Sequence, residues 1–153
     1  MDICCGTGGT IRELSEFKNL DIFGFDISEY LIESARKSGI SDKKLRVLNA
    51  TKTDYKDNEF DYSYSIGSLE HFTIEGIDAF LKETKRITKK ATFHQIPTAK
   101  DEKFRGWLDL DQSYFNMEEE WWLPKFKKYY ENVYVIKSFW NDSISNGRWF
   151  ICF

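Results

Sequence analysis

Three glycines within four residues, Gly6, Gly8 and Gly9, follow a short apolar run in MDICCGTGGT. A glycine-rich turn of this kind lets backbone approach a ligand closely and aims helix N–H groups at it. The next apolar stretch, DIFGFD, ends on an acid, Asp26, about 20 residues after the turn, the interval at which a carboxylate grips ribose hydroxyls. A turn and an acid so spaced restrict this part of the chain to a βαβ unit of an open sheet with an adenosyl-type ligand at its mouth. Asp26 is also open to a plainer role, as an acid preceding the helix cap Ser28.

The rest of the chain extends that unit. Met1–Cys4 reads as a strand remnant, and Thr10–Phe17 as a helix with Ile11, Leu14 and Phe17 on one face. Asp21–Asp26 is a short buried strand. Ser28 caps a helix over Glu29–Ser38 that Gly39 closes. Leu45–Asn49 and Phe60–Ile66 are further strands, Ile77–Ile87 is a helix, and Ala91–Ile96 is a strand stopped by Pro97. Apolar strands alternating with amphipathic helices predict a doubly wound, mostly parallel α/β sheet. The end of the chain differs. Glu119–Tyr130 is helical, and Val133–Phe139 and Arg148–Phe153 flank WNDSISNG, whose Asn-Gly suggests an antiparallel hairpin. Between Thr98 and Met117 runs an irregular stretch rich in Trp, Phe and Tyr, which predicts an ordered, functional loop.

A single domain over residues 1–153 suits this length, and a 41% hydrophobic content allows a real core. No apolar run approaches the roughly 20 residues of a membrane-spanning helix, and no signal peptide is visible, so no membrane partner is expected. The net charge of −3, with basic and acidic residues interspersed, argues against nucleic acid as the partner. Three cysteines and two histidines are too few and too scattered for a structural zinc site, and an odd cysteine count suits a reducing, cytoplasmic compartment. Aromatics reach 17%. They fill a core or wall a pocket.

Two details bear on the ligand. The dinucleotide fingerprint would put a third glycine where Ile11 stands. Asp2, on the strand ahead of the glycines, would repel a pyrophosphate but suits a ligand with a cationic end. With these residues in view, MDICCGTGG resembles the first motif of class I S-adenosylmethionine (SAM)-dependent methyltransferases. FGFDIS resembles their ribose-binding strand end, and LNATKTDYKDNEFDYSYSIGSLEHF the segment from the adenine turn through the fourth strand. Within that family the chain is most similar to the small-molecule "type 11" enzymes.

The resemblance implies SAM as cofactor and S-adenosylhomocysteine as product. It places Asp2, Cys4, Gly6 and Gly8 at the methionine part, with Asp2 reaching the amino group. It gives Asp26 the ribose hydroxyls and lays Ile27 against the adenine. Asn49 stands where the family often has Asp, its amide oxygen accepting from the adenine amino group, and Ala50 would offer its backbone N–H to a ring nitrogen. Ile66 and Gly67 would line the methionine side. Two departures stand out. Cys4 replaces the first glycine of the motif, and the usual N-terminal helical segment is not seen ahead of it.

Methyl transfer is an in-line displacement that depends on positioning, with a base needed where the acceptor must lose a proton. Glu70 and His71, in SLEHF, follow the fourth strand and are the candidate catalytic pair. His71 equally suits packing or capping of the next helix. Some relatives hold a metal with acids around such a pair, but Gly67 stands where the extra acid would be, so no metal is expected. His94 reads as a core residue. Trp107, Asp111, Gln112 and Tyr114, with Asp109 nearby, form the candidate acceptor site. Trp140, Asn141 and Asp142 are either turn residues or reach the acceptor. The expectation is transfer to O or N of a small-molecule acceptor, by a chain that forms a homodimer if a second copy covers an apolar face beside the first strand. The alternative is a shortened, inactive relative acting as a SAM-binding or scaffold module.

Overall fold

A computed structural model describes residues 1–109 and 111–153; Leu110, within the irregular stretch, lies outside the described residues. The main sheet has seven strands: β1 (Asp2–Ile3), β2 (Gly24–Asp26), β3 (Leu45–Val47), β4 (Phe60–Ile66), β5 (Thr88–Ala99), β8 (Val133–Asn141) and β9 (Ser145–Cys152). Their spatial order is β3-β2-β1-β4-β5-β9-β8. The first five run parallel, and β9 pairs antiparallel with both β5 and β8. The order reverses between β1 and β4, and ligands of open α/β sheets bind outside the strand ends at such a switch. The doubly wound sheet with its antiparallel closing hairpin is thus the fold expected from the sequence.

Among the described residues four α-helices connect the strands: α1 (Gly9–Leu14), α2 (Glu29–Lys37), α3 (Ile74–Ile87) and α4 (Glu119–Lys127). Ser28 caps α2 as its position predicts, its Oγ accepting from Leu31 N at 3.3 Å. Thr73 caps α3 the same way through Gly76 N at 3.1 Å, so α3 starts three residues before the expected Ile77. The core forms in two clusters. Ile11, Ile32, Ala35 and Leu45 pack under α1 and α2. Phe80, Leu81, Trp122, Phe126 and Phe150 pack under α3 and α4, where Phe126 and Phe150 stack at 4.6 Å. Each buried Ile, Leu or Phe among them contributes about 1.5–3 kcal/mol.

Three expectations are corrected. α1 ends at Leu14, not Phe17, because beyond Ser15 the bonds tighten to i→i+3, Glu16 N to Glu13 O and Phe17 N to Leu14 O; Phe17 is left 56% exposed rather than sharing the face of Ile11. β5 does not stop at Pro97 but continues to Ala99. Gln95 faces β4, accepting from Gly67 N at 3.1 Å, so Pro97 faces the same side two residues on, where β4 has ended and no ladder needs its missing N–H. The hairpin turn is not built on Asn-Gly. Asn146 and Gly147 lie inside β9, paired with Thr98 and Pro97, and Asp142 makes the turn by accepting from Ile144 N and Ser145 N at 2.9 and 2.7 Å. Within the irregular stretch, β6 (Gly106–Leu108) and β7 (Tyr114–Asn116) form a small antiparallel pair.

On the sheet face away from α3 and α4, Tyr134 and Ile136 of β8 are more than half exposed, as is Tyr62 of β4. Their cross-strand partners there, Ile151 and Trp149, are half-buried. This leaves an apolar surface across that half of the sheet.

Candidate active site

The glycine turn leaves the end of β1 in an unusual backbone. Cys4, Gly6 and Gly8 all have positive φ, at 60°, 53° and 72°. Gly8 is glycine for a packing reason as well, since a Cβ there would collide with Ile40 Cδ1. Gly6 is different: a Cβ there would meet nothing within 4 Å, so its backbone faces open space. Cys4 carries a side chain in a conformation that L-residues avoid at a cost of about 1–2 kcal/mol.

Asp26 ties the turn to the next strand. Its Oδ2 accepts from Gly6 N at 3.0 Å and its Oδ1 from Ser28 N at 2.9 Å. Each oxygen keeps a second lone pair. The residue is both the structural link and, chemically, still an acceptor. Beside it Ile27 is 69% exposed, a large apolar side chain left uncovered at the sheet's ligand end. Asp2 is 4% exposed, and burial pushes its carboxyl up to about 7, with the charge of Asp26 adding and the Tyr64 hydroxyl opposing. A ligand ammonium would stabilise the charged form of such an acid.

On the third strand's side, Asn49 is exposed, but its Oδ1 accepts from both Thr51 N and Thr51 Oγ1, at 2.9 and 2.8 Å. Both lone pairs of the oxygen expected to meet an adenine amino group are therefore taken, and the side chain presents only its Nδ2 donors. Ala50 is buried in the core and Ile66 is 38% exposed at the end of β4.

Beyond β4 and β5 opens a cavity of about 900 Å³, lined by Gly67, Glu70, His71, Pro97, Asp109, Asp111, Gln112, Tyr114 and Trp140. It gathers the expected catalytic pair with three of the four expected acceptor residues, although the two groups lie about 40 residues apart in the chain. Trp107 is not among them. Its ring packs edge-on against Phe115 across the β6–β7 pair, at 4.8 Å, and it remains 47% exposed away from the cavity wall. Trp140 does reach the cavity, its indole N–H held by Asp142 Oδ2 at 3.1 Å. Pro97 is the lining residue that sequence reasoning missed, having been read only as a strand stop. Its place at the ligand end of β5 was the available signal.

The pair itself is well defined. His71 Nδ1 lies 2.8 Å from Ser113 O. A carbonyl oxygen only accepts, so Nδ1 carries the proton and the neutral ring keeps its lone pair on Nε2. The ring also sits edge-on to Tyr114 at 5.9 Å. Glu70 is 1% exposed, and burial pushes its carboxyl up to about 8. Its Oε2 has no hydrogen-bond partner among the described residues. A buried acid left this way is costly and points to a functional use. His94, by contrast, is fully buried between Phe80 and Phe126, with Nδ1 2.9 Å from Ser65 Oγ, and burial depresses it to about 3. It is a core residue, neutral at any ordinary pH. Among the described residues no group of three or more His, Cys, Asp or Glu is arranged to hold a metal, and no helix is long and apolar enough to cross a membrane.

Residues 1–91 match the family model described as a methyltransferase domain. A sterol 24-C-methyltransferase of Gibberella zeae is 34% identical over 95 residues, which are 58% of this chain and 24% of that enzyme. The chain thus spans about a quarter of the length of that relative. Among solved structures, a SAM-dependent methyltransferase from Methanosarcina mazei superposes with a TM-score of 0.81 at 17% identity, covering 98% of this chain and 89% of that one. A phosphoethanolamine N-methyltransferase of Haemonchus contortus, in complex with phosphomonomethylethanolamine and S-adenosylhomocysteine, superposes at 0.75 and 17% identity, covering 99% of this chain and 47% of that one. These two share the fold.

Proposed function

The chain belongs to the methyltransferase-domain family, whose methyl donor is SAM, and on that premise we propose that residues 1–153 act as one methyltransferase unit on O or N of a small-molecule acceptor. The supporting observation is the arrangement at the strand ends. The glycine turn and Asp26 stand on one side of the sheet's switch point, and the cavity holding Glu70 and the free Nε2 of His71 stands on the other.

The residues present fit the cofactor. Gly6 backbone faces open space, Asp26 keeps two free lone pairs for vicinal hydroxyls, Ile27 offers an apolar face, and Asp2 is a buried acid that gains from a cationic partner. Asn49 fits less well, and an adenine contact through Nδ2 or through backbone replaces the one expected of its oxygen. When bound, SAM supplies an electrophilic methyl carbon on a positively charged sulfur. The chain's own residues do the remainder. Tyr114, Gln112 and Trp140 wall the acceptor, Gly67 lets it approach the end of β4, and Nε2 of His71 takes the proton that an acceptor O–H or N–H releases.

Calorimetric titration with SAM and with S-adenosylhomocysteine tests the reading. Binding of both is expected, weakened at least tenfold in Asp26→Ala, a loss of about 1.4 kcal/mol or more. A folded sample that binds neither at millimolar ligand overturns it. Binding without turnover over a broad acceptor panel would leave the chain a SAM-binding module.

A further inference from the structure

The cavity beyond β4 and β5 is rich in acids. Its wall includes three carboxyl groups, Glu70, Asp109 and Asp111, and among the described lining residues there is no lysine or arginine. Asp109 and Asp111 are exposed at the rim, and Asp109 Oδ1 is placed by a 3.0 Å hydrogen bond from Ser113 Oγ. Glu70 is the independent observation. It lines the same cavity, is 99% shielded from solvent, and leaves Oε2 without a partner. Burial keeps such a carboxyl protonated while the cavity is empty, and an ammonium set against it is the partner that draws it into its charged form. The uncharged part of the wall is also suited to a cation. Tyr114 and Trp140 supply aromatic surface, and a ring face attracts an ammonium by about 0.5–2 kcal/mol. The indole of Trp140 is held by its N–H to Asp142.

We propose that the acceptor bound in this cavity is a small amine that enters as an ammonium with an apolar or aromatic body, its charged end set against Glu70 and its body between Tyr114 and Trp140. This deepens the methyltransferase reading and rests on it for the chemistry, though not for the binding. The amine sheds one proton to Nε2 of His71. Its freed lone pair forms the nitrogen–carbon bond to the methyl group while the carbon–sulfur bond breaks, its electron pair remaining on the departing thioether. The proton then passes from His71 to water. Acceptors that enter as anions, carboxylates and phosphates among them, meet the rim carboxylates of Asp109 and Asp111 and find no cation in the wall, and are disfavoured.

The test compares three probes of one shape: 2-phenylethylamine, 2-phenylethanol and phenylacetate, titrated into the full chain with tryptophan fluorescence as readout, with and without S-adenosylhomocysteine. The amine is expected to bind at least tenfold more tightly than the alcohol, and phenylacetate more weakly than either. In Glu70→Gln the amine-to-alcohol ratio should fall towards one. Asp109→Asn/Asp111→Asn, which alters only exposed positions and so keeps the fold, should lower the ratio about two- to threefold. Equal binding of amine and alcohol, or a preference for phenylacetate, overturns the proposal even if S-adenosylhomocysteine binds. Amine preference in a chain that fails to bind S-adenosylhomocysteine upholds the amine site and removes the methyltransferase reading beneath it.

Discussion

Replacing Glu70 by Gln should stabilise the unliganded protein, and by an amount that depends on pH. In the unfolded chain this carboxyl ionises near 4.5; in the fold, burial raises it to about 8. Between those values the unfolded state has lost a proton that the native state keeps, so stability falls as pH rises, by about 1.4 kcal/mol per unit. Glu70 therefore removes about 3 kcal/mol by pH 7 and about 5 kcal/mol once pH passes 8, relative to its effect below pH 4. Gln has the same shape and cannot ionise. Urea unfolding of the two proteins at matched pH between 4 and 9 should give equal stabilities at the acid end. Glu70→Gln should lead by about 3 kcal/mol at neutrality and by more above pH 8. Asp2, raised to about 7 by burial, tilts both proteins the same way and cancels in the difference. A difference that stays flat with pH would refute the reasoning, as would a Gln variant less stable than the parent at pH 9. Either would mean that Glu70 already has a partner for its charge.

Cys4 holds a left-handed backbone, so Cys4→Gly should relieve about 1–2 kcal/mol of strain against about 0.5–1 kcal/mol of added chain entropy. The net expectation is a melting temperature a few degrees higher at most. Cys4→Ala keeps the strain and should not gain; equal melting of the two variants in calorimetry would remove the strain argument. If His71 is the base, His71→Gln should lower kcat by about 10²–10⁴-fold with little change in amine affinity. An unchanged kcat across pH 6 to 9 would return His71 to a packing role. The dimer expected from the sequence lies on a face beside the first strand; the apolar surface carried by β8 and β9, with Tyr134 and Ile136 at its edge, is a second place for it. A dimer by light scattering that Ile136→Lys disperses is expected, and a monomer at every concentration would count against it.

Much of this molecule is legible in its sequence because the signals are local. The glycines, the acid 20 residues on and the alternation of apolar strands with helices each follow from backbone sterics and burial within a few residues. So does the Ser28 cap, whose bond spans three residues. The errors at element ends have the same origin in reverse. Phe17 fits the helical period of α1, but the chain tightens into three-residue turns after Ser15 and the α-helix ends first. Pro97 looks like a stop until one knows that β4 has finished beside it. Asn146-Gly147 has the composition of a tight turn, yet pairing with β5 holds it extended.

The acceptor cavity is another matter. His71 and Tyr114 could be nominated one by one, but the tautomer of His71 depends on a carbonyl 42 residues away. Trp107 was the expected acceptor residue and Trp140 only an alternative to a turn residue, yet the β6–β7 pairing turned the first aside while the closing hairpin brought the second in. The lone oxygen of Glu70 is invisible in the string, because whether a carboxyl is buried without a partner is a sum over everything packed around it. The sequence by itself determined the doubly wound sheet with its closing hairpin and, through the motifs it shares with SAM-dependent methyltransferases, the class of ligand at the glycine turn. Only the tertiary structure decided which side chains face the open end of β5, and with what charge, since burial and hydrogen-bond partners there come from segments far apart in the chain.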